Sequence, residues 1–541
     1  MAIHELAGKP APKSMLINIR DLISSYYTEE PSGPVSFGTS GHRGSSGKGT
    51  FNEMHIAAIA QAISDYRSLK GIKGPLFMGY DTHALSKPAF RTALEVFAAN
   101  EIETVIHDHD GYTPTPVISF FILEHNRHDK SNISDGVVIT PSHNPPGDGG
   151  IKYNPPHGGP ADIDVTRWVE DRANNLMKAK FQGIKRIDYQ KARSASSTHE
   201  RDMITPFVHS LSHVIDMEAI RRKSIHIGAD PMGGSGINFW EPIAEEYGLN
   251  IEIVNKRIDP TFGFMSVDHD GQIRMDCSSP YSMASLIAMA DKFDIAWGND
   301  PDFDRHGIVC KDGLMNPNHY LSVAIWYLLG NRPSWEKDLR IGKTLVSSSI
   351  IDRIVESLGK DLFEVPVGFK WFVSGLLDGS VAFGGEESAG AAFLRMDGTA
   401  WSTDKDGFSM GLLAAEILAK TGKTPSDIYR NILVPLYGEP YYKRIDGPIT
   451  DKQKKRLKNL NPESIKRDSI AGLSIRSVIT RAPGNGAPIG GVKVLLEDGS
   501  WFAVRPSGTE PKMKVYVESF GGEALWQKVY DQALSLIFGE I

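Results

Sequence analysis

The chain is built on a recurring pattern in which a short apolar run ends in a polar loop and a longer segment with helical periodicity follows. Three such runs are Leu76 to Asp81, Ile225 to Asp230 and Thr344 to Ser348. Their apolar residues are continuous rather than alternating, which is typical of strands covered on both faces by helices. The pattern therefore predicts an α/β fold with parallel or mixed sheets between helix layers.

Each of these blocks contains a second apolar run that ends in a more heavily polar loop. These runs are Gly136 to Ile139, Ile295 to Trp297 and Val381 to Phe383. Open α/β sheets bind ligands at the carboxyl edge of their strands, where such loops lie. The repeat predicts three related α/β domains, each presenting one functional loop.

The end of the chain departs from this pattern. After a polar, Lys-rich segment from Thr450 to Ser469, short strands are predicted around Val492 to Leu496 and Lys514 to Glu518, then a helix near Leu525 to Phe538. A smaller α+β domain fits this region, and 541 residues suffice for several separate cores. We place the domains at residues 1–204, 205–317, 318–437 and 438–541.

Composition narrows the class of protein. A formal charge of −7 and 23% charged residues describe a slightly acidic globular protein, and nothing in this balance favours a nucleic-acid partner. Cys277 and Cys310 lack the spacing of a zinc site and predict buried thiols in a reducing compartment. The opening residues lack the pattern of a signal peptide, and the apolar stretch 320–330 is too short to span a bilayer. We expect a cytoplasmic protein without a membrane partner and a buried helix at 320–330.

Asp300, Asp302 and Asp304 lie in the polar loop that follows the apolar run Ile295 to Trp297. Carboxylates at alternating positions can converge on one hard cation and leave places for water and a phosphate oxygen, as Mg²⁺ prefers. An EF-hand is excluded because its turn glycine is replaced by Arg305 and its last glutamate by Lys311. A phosphatase that uses Asp302 as nucleophile and a solvated helix-capping turn both remain open.

Ser142 and His143 lie in a loop stiffened by Pro141, Pro145 and Pro146. Proline fixes the backbone on both sides, so the serine hydroxyl can be held at a set geometry beside the histidine. Serine is a candidate phosphoryl carrier, and His143 is available for proton transfer or charge stabilisation. A plain turn remains the alternative, while the Gly-x-Ser-x-Gly elbow of serine hydrolases is missing from this loop.

Two further loops carry groups that recognise sugars and phosphates. Glu386 and Ser388 stand on a glycine-rich frame and can exchange hydrogen bonds with sugar hydroxyls, although a helix start is an equal interpretation. Arg505 can bind phosphate bidentately, and the Ser507-Gly508-Thr509 segment offers hydroxyl and backbone N–H groups for the other oxygens. A surface hairpin turn stays open for this last loop.

The four loops occur in the order found in the α-D-phosphohexomutases, and the chain resembles this family over essentially its whole length. Residues 37–44, Phe-Gly-Thr-Ser-Gly-His-Arg-Gly, and residues 149–154, Gly-Gly-Ile-Lys-Tyr-Asn, add to the resemblance. It is greatest for the bacterial, glucose-type members. The resemblance implies four domains arranged around a central cleft.

The same resemblance implies a role for individual residues. Ser142 would be the phosphoserine and would complete a site for one Mg²⁺ with Asp300, Asp302 and Asp304. The groups around the reaction centre would be Arg43, His143, Lys152, Arg305 and Lys405, with Lys152 the choice for proton transfer. Sugar and distal phosphate would contact Gly368, Glu386, Ser388, Arg505, Ser507, Gly508, Thr509 and Lys514.

The implied reaction is the reversible interconversion of α-D-glucose 1-phosphate and glucose 6-phosphate, with glucose 1,6-bisphosphate as intermediate and activator. Hexose phosphates would be the partners of a monomer or weak homodimer that serves glycogen, galactose and nucleotide-sugar metabolism. Two departures from the family are Val367, where a threonine is frequent, and His83, where an arginine is common. A mannose- or glucosamine-phosphate mutase, a phosphosugar phosphatase and a non-catalytic phosphosugar-binding protein are the alternatives.

Overall fold

The computed structural model describes residues 3–38, 41–335, 338–506 and 512–539. Its first sheet has the strand order β1-β5-β4-β2-β3-β6 and lies between helices. Its elements are α1 (Ile19–Thr28), β1 (His42–Gly44), α2 (Glu53–Lys70), β2 (Leu76–Tyr80), α3 (Ser86–Ala99), β3 (Thr104–His107), α4 (Thr115–His128), β4 (Asp135–Ile139), β5 (Gly149–Asn154), α5 (Ile163–Lys178), α6 (Tyr189–Arg193) and β6 (Thr198–Arg201).

The second sheet has the order β11-β10-β9-β7-β8. Its elements are α7 (Thr205–Ser210), α8 (Met217–Lys223), β7 (His226–Asp230), α9 (Trp240–Tyr247), β8 (Asn250–Ile253), α10 (Ala284–Ile287), β9 (Ile295–Gly298), β10 (Gly307–Cys310) and β11 (Gly313–Leu314).

The third sheet has the order β13-β12-β14-β15. Its elements are α11 (Pro317–Asn331), β12 (Arg340–Thr344), α12 (Ile350–Ser357), β13 (Asp361–Val365), α13 (Val373–Asp378), β14 (Val381–Glu386), β15 (Gly390–Phe393), α14 (Gly407–Thr421), α15 (Pro425–Ile428) and α16 (Val434–Tyr437).

One strand arrangement recurs in these three sheets. The orders β3-β2-β4-β5, β8-β7-β9-β10 and β13-β12-β14-β15 are equivalent, with the first three strands parallel and the last antiparallel. In every case the heavily polar loop joins the third strand to the antiparallel fourth. The structure thus confirms the α/β repeat predicted from the sequence.

A shared apolar core holds the first three sheets together. Phe120 from α4 packs on Trp401 with ring centroids 5.3 Å apart, and Phe207 from α7 lies 5.3 Å from Phe408 in α14. Trp240 in α9 lies 5.1 Å from the same Phe408 ring. Each fully buried large side chain contributes roughly 1.5–3 kcal/mol by leaving water. The loops of the three sheets are therefore held in a fixed relation by one core.

The last sheet, β16-β21-β20-β19-β18-β17, is antiparallel and has its own core under α18. Its elements are β16 (Tyr441–Pro448), α17 (Asp451–Lys458), β17 (Ser469–Ile470), β18 (Leu473–Arg481), β19 (Pro488–Leu496), β20 (Trp501–Pro506), β21 (Lys512–Ser519) and α18 (Gly522–Phe538). Its other face meets the third sheet, where the Lys493 ammonium lies 2.6 Å from Glu364. The α+β character predicted for this region is confirmed.

Some element predictions need correction. The run from Thr344 to Ser348 is a strand only up to Thr344, because Ser347 N–H bonds back to the Thr344 carbonyl at 3.0 Å and forms a turn. Glu386 belongs to β14 rather than to the loop, because it pairs with Gly390 across the hairpin. The polar segment after Thr450 contains a helix, α17, begun by the Thr450 side chain.

Other expectations hold. The apolar stretch 320–330 lies within the buried helix α11, and both cysteines are buried and unpaired. Among the helices that the structure describes, none combines the length and apolarity needed to cross a membrane.

Candidate active site

The serine loop between β4 and β5 holds Ser142 in a left-handed backbone conformation, with φ of 59°. The Ser142 N–H donates to the Thr140 hydroxyl at 2.8 Å, and the Ser142 hydroxyl donates to Asp300 Oδ2 at 2.7 Å. Gly150 lies so close to this loop that a Cβ there would stand 2.1 Å from the Thr140 carbonyl oxygen. The serine and the first aspartate, 158 residues apart in the chain, thus meet as predicted.

The three aspartates form one buried cluster on the loop between β9 and β10. Ligand oxygens of Asp300, Asp302 and Asp304 all lie within 4.8 Å of one another. Burial and the neighbouring Asp302 and Asp304 carboxylates raise the pKa of Asp300 well above its ordinary value. Negative charge concentrated in this way is unfavourable unless a cation neutralises it.

Two carboxylate oxygen atoms of this cluster are available to bind a metal ion. Among the described residues, the buried Oδ1 atoms of Asp302 and Asp304 have no hydrogen-bond partner. Buried polar atoms are almost always satisfied, so such atoms call for a ligand. Carboxylate oxygens are the donors that hard divalent cations prefer. The three aspartates can therefore hold a metal ion.

Cationic side chains from the first and third sheets converge on the same carboxylates. Lys152 Nζ lies 2.5 Å from Asp302 and 3.0 Å from Asp304, and Lys405 Nζ lies 3.0 Å from Asp304. The Arg305 backbone N–H donates to Asp300 at 3.0 Å, and its guanidinium lies 3.8 Å from Asp304. Burial opposes ionisation of Asp304, but Lys152 and Lys405 outweigh it and hold its pKa well below the ordinary value.

Arg43 belongs to the same centre. It lies in β1, opposite Gly150 of β5 in the strand pairing. Burial lowers the pKa of its guanidinium, whereas Asp302 and Asp304 act to raise it. The structure thus brings Arg43, Lys152, Arg305 and Lys405 to one place, with the positive charge needed to receive an anionic group.

His143 and Lys152 differ in their protonation. Burial and the charge of Arg305 hold the pKa of His143 well below its ordinary value, so this imidazole is neutral. Its Nδ1 lies 3.2 Å from the Ser142 hydroxyl oxygen. Burial opposes the charge on Lys152, but Asp302 and Asp304 raise the pKa of its ammonium above the ordinary value. Lys152 is therefore protonated in this arrangement.

The loop between β14 and β15 faces the aspartate loop. The Gly368 N–H donates to Glu386 Oε1 at 3.1 Å, which unites two residues predicted to contact sugar. Burial raises the pKa of Glu386, while Lys405 acts against this effect. The His306 N–H donates to the Ala389 carbonyl at 3.0 Å, and Ser388 lies beside it, partly exposed. This loop can present hydrogen-bonding groups next to the reaction centre.

The predicted phosphate loop is described only at its ends. Ser507, Gly508 and Thr509 lie outside the described residues. Arg505 and Lys514 are neighbours across β20 and β21. Burial and the charges of Arg444 and Arg505 lower the pKa of Lys514. Asp446 acts against this lowering, so the positive charge here is partly balanced.

Thr115, at the start of α4, was not predicted from the sequence. Its hydroxyl donates to Asp302 Oδ2 at 2.7 Å, and its backbone N–H donates to the Asp302 carbonyl at 2.9 Å. A helix-start threonine between two prolines gives no sign of which distant residue it will bind. Thr115 orients a candidate metal ligand from another sheet, as outer-shell partners do.

Asp276 was not predicted from the sequence either. Burial opposes its ionisation, but the charge of Arg305 and the hydrogen bonds from Ser278 outweigh it and lower the pKa of the carboxyl to about 2. Its carboxylate accepts hydrogen bonds from the Ser278 N–H and hydroxyl at 2.9 and 2.7 Å. Asp276 supplies negative charge that interacts with Arg305.

Comparison with known protein families gives a consistent result along the chain. Residues 34–180, 205–313 and 316–435 match the alpha/beta/alpha domains I, II and III of the family described as phosphoglucomutase/phosphomannomutase. Residues 454–534 match the C-terminal domain of that family.

Individual relatives and solved structures agree. A phosphoglucomutase of Komagataeibacter xylinus is 57% identical, over 99% of this chain and 97% of its own length. Phosphoglucomutase 1 of Drosophila melanogaster is 26% identical over 87% of this chain and 88% of its own. The open form of Paramecium parafusin, a phosphoglucomutase, superposes with a TM-score of 0.74 at 21% identity and covers 94% of this chain and 95% of its own.

Proposed function

Because this chain belongs to the phosphoglucomutase/phosphomannomutase family, we propose that it interconverts α-D-glucose 1-phosphate and glucose 6-phosphate through a phosphoryl group carried on Ser142. Its activity is that of a phosphoglucomutase, an isomerase. The observation that carries the proposed chemistry is the contact between the Ser142 hydroxyl and Asp300. A serine bound to an acidic cluster and ringed by cations is placed to carry a phosphoryl group.

The reaction is a pair of phosphoryl transfers. In the first, the bond between phosphorus and the Ser142 oxygen breaks while a bond to O6 of glucose 1-phosphate forms, giving glucose 1,6-bisphosphate. The bisphosphate then turns over in the cleft. In the second transfer the O1–phosphorus bond breaks and phosphate returns to Ser142, leaving glucose 6-phosphate. The proton lost by the attacking hydroxyl in each transfer is returned to the departing oxygen.

His143 is placed to donate a hydrogen bond to the Ser142 oxygen. The Ser142 hydroxyl already donates its hydrogen to Asp300, so in its contact with His143 the Nδ1–H must be the donor. A neutral imidazole with its hydrogen on Nδ1 can donate a hydrogen bond that stabilises the charge developing on the serine oxygen as phosphate departs. Lys152 remains our choice for the proton of the sugar hydroxyl. Charge neutralisation of Asp302 and Asp304 would weaken their hold on its ammonium proton.

Asp300, Asp302 and Asp304 are proposed to hold Mg²⁺ together with an oxygen of phospho-Ser142. When bound, this ion would neutralise charge that develops on the transferring phosphoryl group. Arg43, Arg305 and Lys405 would stabilise the same charge from the protein side. Thr115 keeps the Asp302 carboxylate in place.

The sugar and its second phosphate are proposed to lie between the third and last sheets. Glu386, Ser388 and Gly368 would bind sugar hydroxyls, and Arg505 and Lys514 would bind the phosphate that does not react. Ser507, Gly508 and Thr509 complete this phosphate site in the proposal. Because one site must accept either end of the bisphosphate, adaptable backbone and hydroxyl donors suit it.

We further propose that the last domain closes over bound sugar to exclude water. The domain limits 204/205 and 437/438 fall between elements of successive sheets, whereas 317/318 separates Pro317 from the rest of α11, which belongs to the third sheet. A cytoplasmic monomer or weak homodimer that serves glycogen, galactose and nucleotide-sugar metabolism completes the proposal.

Mass spectrometry of the Ser142 peptide, before and after exposure to glucose 1,6-bisphosphate, tests this mechanism. We expect phosphate on Ser142 and a mutase rate with glucose 1-phosphate above that with mannose or glucosamine phosphates. Mutase activity without phosphate on Ser142 under either condition would refute the serine carrier. Release of inorganic phosphate in place of an isomer would instead identify a phosphatase.

A further inference from the structure

The serine loop is fixed at its upstream side by a buried carboxylate. Asp81 follows β2 directly, and its Oδ2 accepts a hydrogen bond from the Thr140 hydroxyl at 2.6 Å. The same Thr140 oxygen accepts the Ser142 N–H at 2.8 Å. Ser86 donates its hydroxyl to the other Asp81 oxygen at 2.5 Å. The backbone of Ser142 is thus tied to Asp81 through one hydroxyl.

His83 fixes the downstream side of the loop. Its Nδ1 lies 2.9 Å from Asp81 Oδ2, and its Nε2 lies 3.1 Å from the Asn144 carbonyl oxygen. Both partners are acceptors, so both ring nitrogens must carry hydrogen and the imidazole is a cation. Phe262, from the second sheet's region, covers the ring with centroids 4.9 Å apart. The ring is 2% exposed and cannot turn towards water.

We propose that Asp81 and His83 form a positioning pair that clamps the serine loop from both sides and fixes Ser142 in its reactive geometry. The inference rests on the proposed role of Ser142 as phosphoryl carrier. A non-glycine residue with φ of 59° keeps that conformation only when its surroundings impose it. The pair supplies this constraint on both sides of the serine.

The charges facing His83 agree with a cationic ring. Burial opposes its protonation, but Asp81 outweighs burial, and Asp148 of the serine loop adds to the effect, so the pKa of His83 is raised. Asp148 is itself held by the Asn144 side chain, whose Nδ2 donates to it at 3.1 Å. The positive ring therefore bonds to the Asp81 carboxylate and is further stabilised by the charge of Asp148.

A positioning role predicts a different outcome from a purely structural one. The groups proposed to bind sugar lie on the third and last sheets, away from His83. Loss of the clamp should lower kcat, since a displacement of about 1 Å can cost about 100-fold in rate. It should leave KM for glucose 1-phosphate nearly unchanged, because substrate affinity comes from elsewhere.

The test compares His83→Leu and His83→Arg with His55→Leu in the full-length protein. His55 is a matched control: it is a buried histidine of the same region, with its ring nitrogens 3.0 Å from Asn52 and 2.9 Å from the Gly33 carbonyl. For His83→Leu we expect kcat to fall by about 10- to 100-fold and KM to change by less than about twofold. His83→Arg, which keeps donors for both acceptors, should recover most of kcat. His55→Leu should lower the melting temperature and spare kcat.

Unchanged kcat in His83→Leu, or a loss that His83→Arg fails to restore, would overturn the positioning pair. Should the leucine variant not fold, a pH titration of histidine-labelled wild-type protein by ¹⁵N NMR decides. Both His83 ring nitrogens should stay protonated to a higher pH than those of an ordinary histidine, and a ring already neutral at the ordinary histidine pKa would overturn the pair. Wild-type enzyme that turns over without phosphate on Ser142 would refute the proposed function instead. Phosphorylated Ser142 with a fully active leucine variant would refute only the pair.

Discussion

Two carboxylates at equivalent places in the first and second sheets have opposite surroundings. Asp81 follows β2, whereas Asp230 ends β7, the strand with the same place in the repeat. Burial opposes ionisation of Asp81, but His83, Ser86 and Thr140 outweigh it and lower its pKa. Burial dominates at Asp230, where the Met232 N–H donates at 2.8 Å, and raises the pKa to about 6.

The difference follows from how each loop is held. The serine loop depends on its own domain, through Asp81 and His83. The backbone of the aspartate loop is held by Ser235 of its own domain, but its Asp302 and Asp304 carboxylates are held from outside, by Thr115 and Lys152 of the first sheet's region and by Lys405 of the third. The Asp230 carboxylate instead accepts the N–H of Met232, two residues further along its own segment. Equivalent positions in a repeated fold can thus serve chemistry in one copy and simple packing in another.

The largest effect is expected where the two loops meet. Ser142→Ala should lower mutase activity by about 10⁴-fold or more, because the phosphoryl carrier is removed. The aspartate loop should remain intact, so calorimetric titration should still detect Mg²⁺ binding, weakened by the loss of the phosphoserine oxygen. A mutase rate within tenfold of wild type would break the assignment of the two loops to carrier and metal site.

Removing the carboxylate of the first sheet should be the next largest effect. Asp81→Asn leaves a buried cation without its partner, which costs about 3–5 kcal/mol. We expect a clearly lower melting temperature by calorimetry together with a lower kcat. A variant as stable as wild type would show that Asp81 and Asp230 are equivalent after all.

Unlike Asp81→Asn, the substitution Asp230→Asn should raise the stability of the protein relative to wild type as the pH increases. In the folded wild type Asp230 keeps its proton up to about pH 6, whereas in the unfolded chain it loses the proton near pH 4. The protonated carboxyl therefore contributes its full stabilisation below about pH 4, and this contribution is lost as pH rises through about 6. The asparagine variant escapes this loss of up to about 3 kcal/mol. Its melting temperature should gain on wild type between pH 5 and pH 7. A difference that does not change with pH would contradict the buried, proton-binding carboxyl.

The smallest effect concerns the outside support of the aspartate loop. Thr115→Val removes the hydroxyl that donates to Asp302 while keeping the shape, and should weaken Mg²⁺ binding by about tenfold. Thr115→Ser keeps the hydroxyl and is the matched control. Calorimetric titration measures both affinities. Equal affinity in the two variants would show that the loop does not need this contact.

The sequence predicts the repeated part of the fold well, because continuous apolar runs such as Gly136 to Ile139 and Ile295 to Trp297 are strands buried on both faces. It does not reveal β16, whose residues are mostly half-buried or exposed at a sheet edge and so lack a strong apolar pattern. The helix α17 was not predicted because it is rich in lysine and only its Leu457 is buried, so it too lacks an apolar pattern.

The candidate site shows the same limit. Ser142 and the three aspartates could be found because each stands in a distinctive local motif. Thr115 could not, because its partner Asp302 is 187 residues away and the pairing depends on how two sheets pack. His83 was visible only as a departure from the family, and its partners emerged from the folded loop.

The apolar core shared by the first three sheets also bears on how this protein fails. Phe408 touches aromatic rings from α7 and α9, so the sheets on either side cannot separate without opening the same core. The serine loop, the aspartate loop and the loop between β14 and β15 should then unfold in one cooperative step. No partly folded form would keep some of these loops in place while water reaches the others. The last sheet has a core of its own but also packs on the third sheet through Trp501 and the Lys493–Glu364 ion pair.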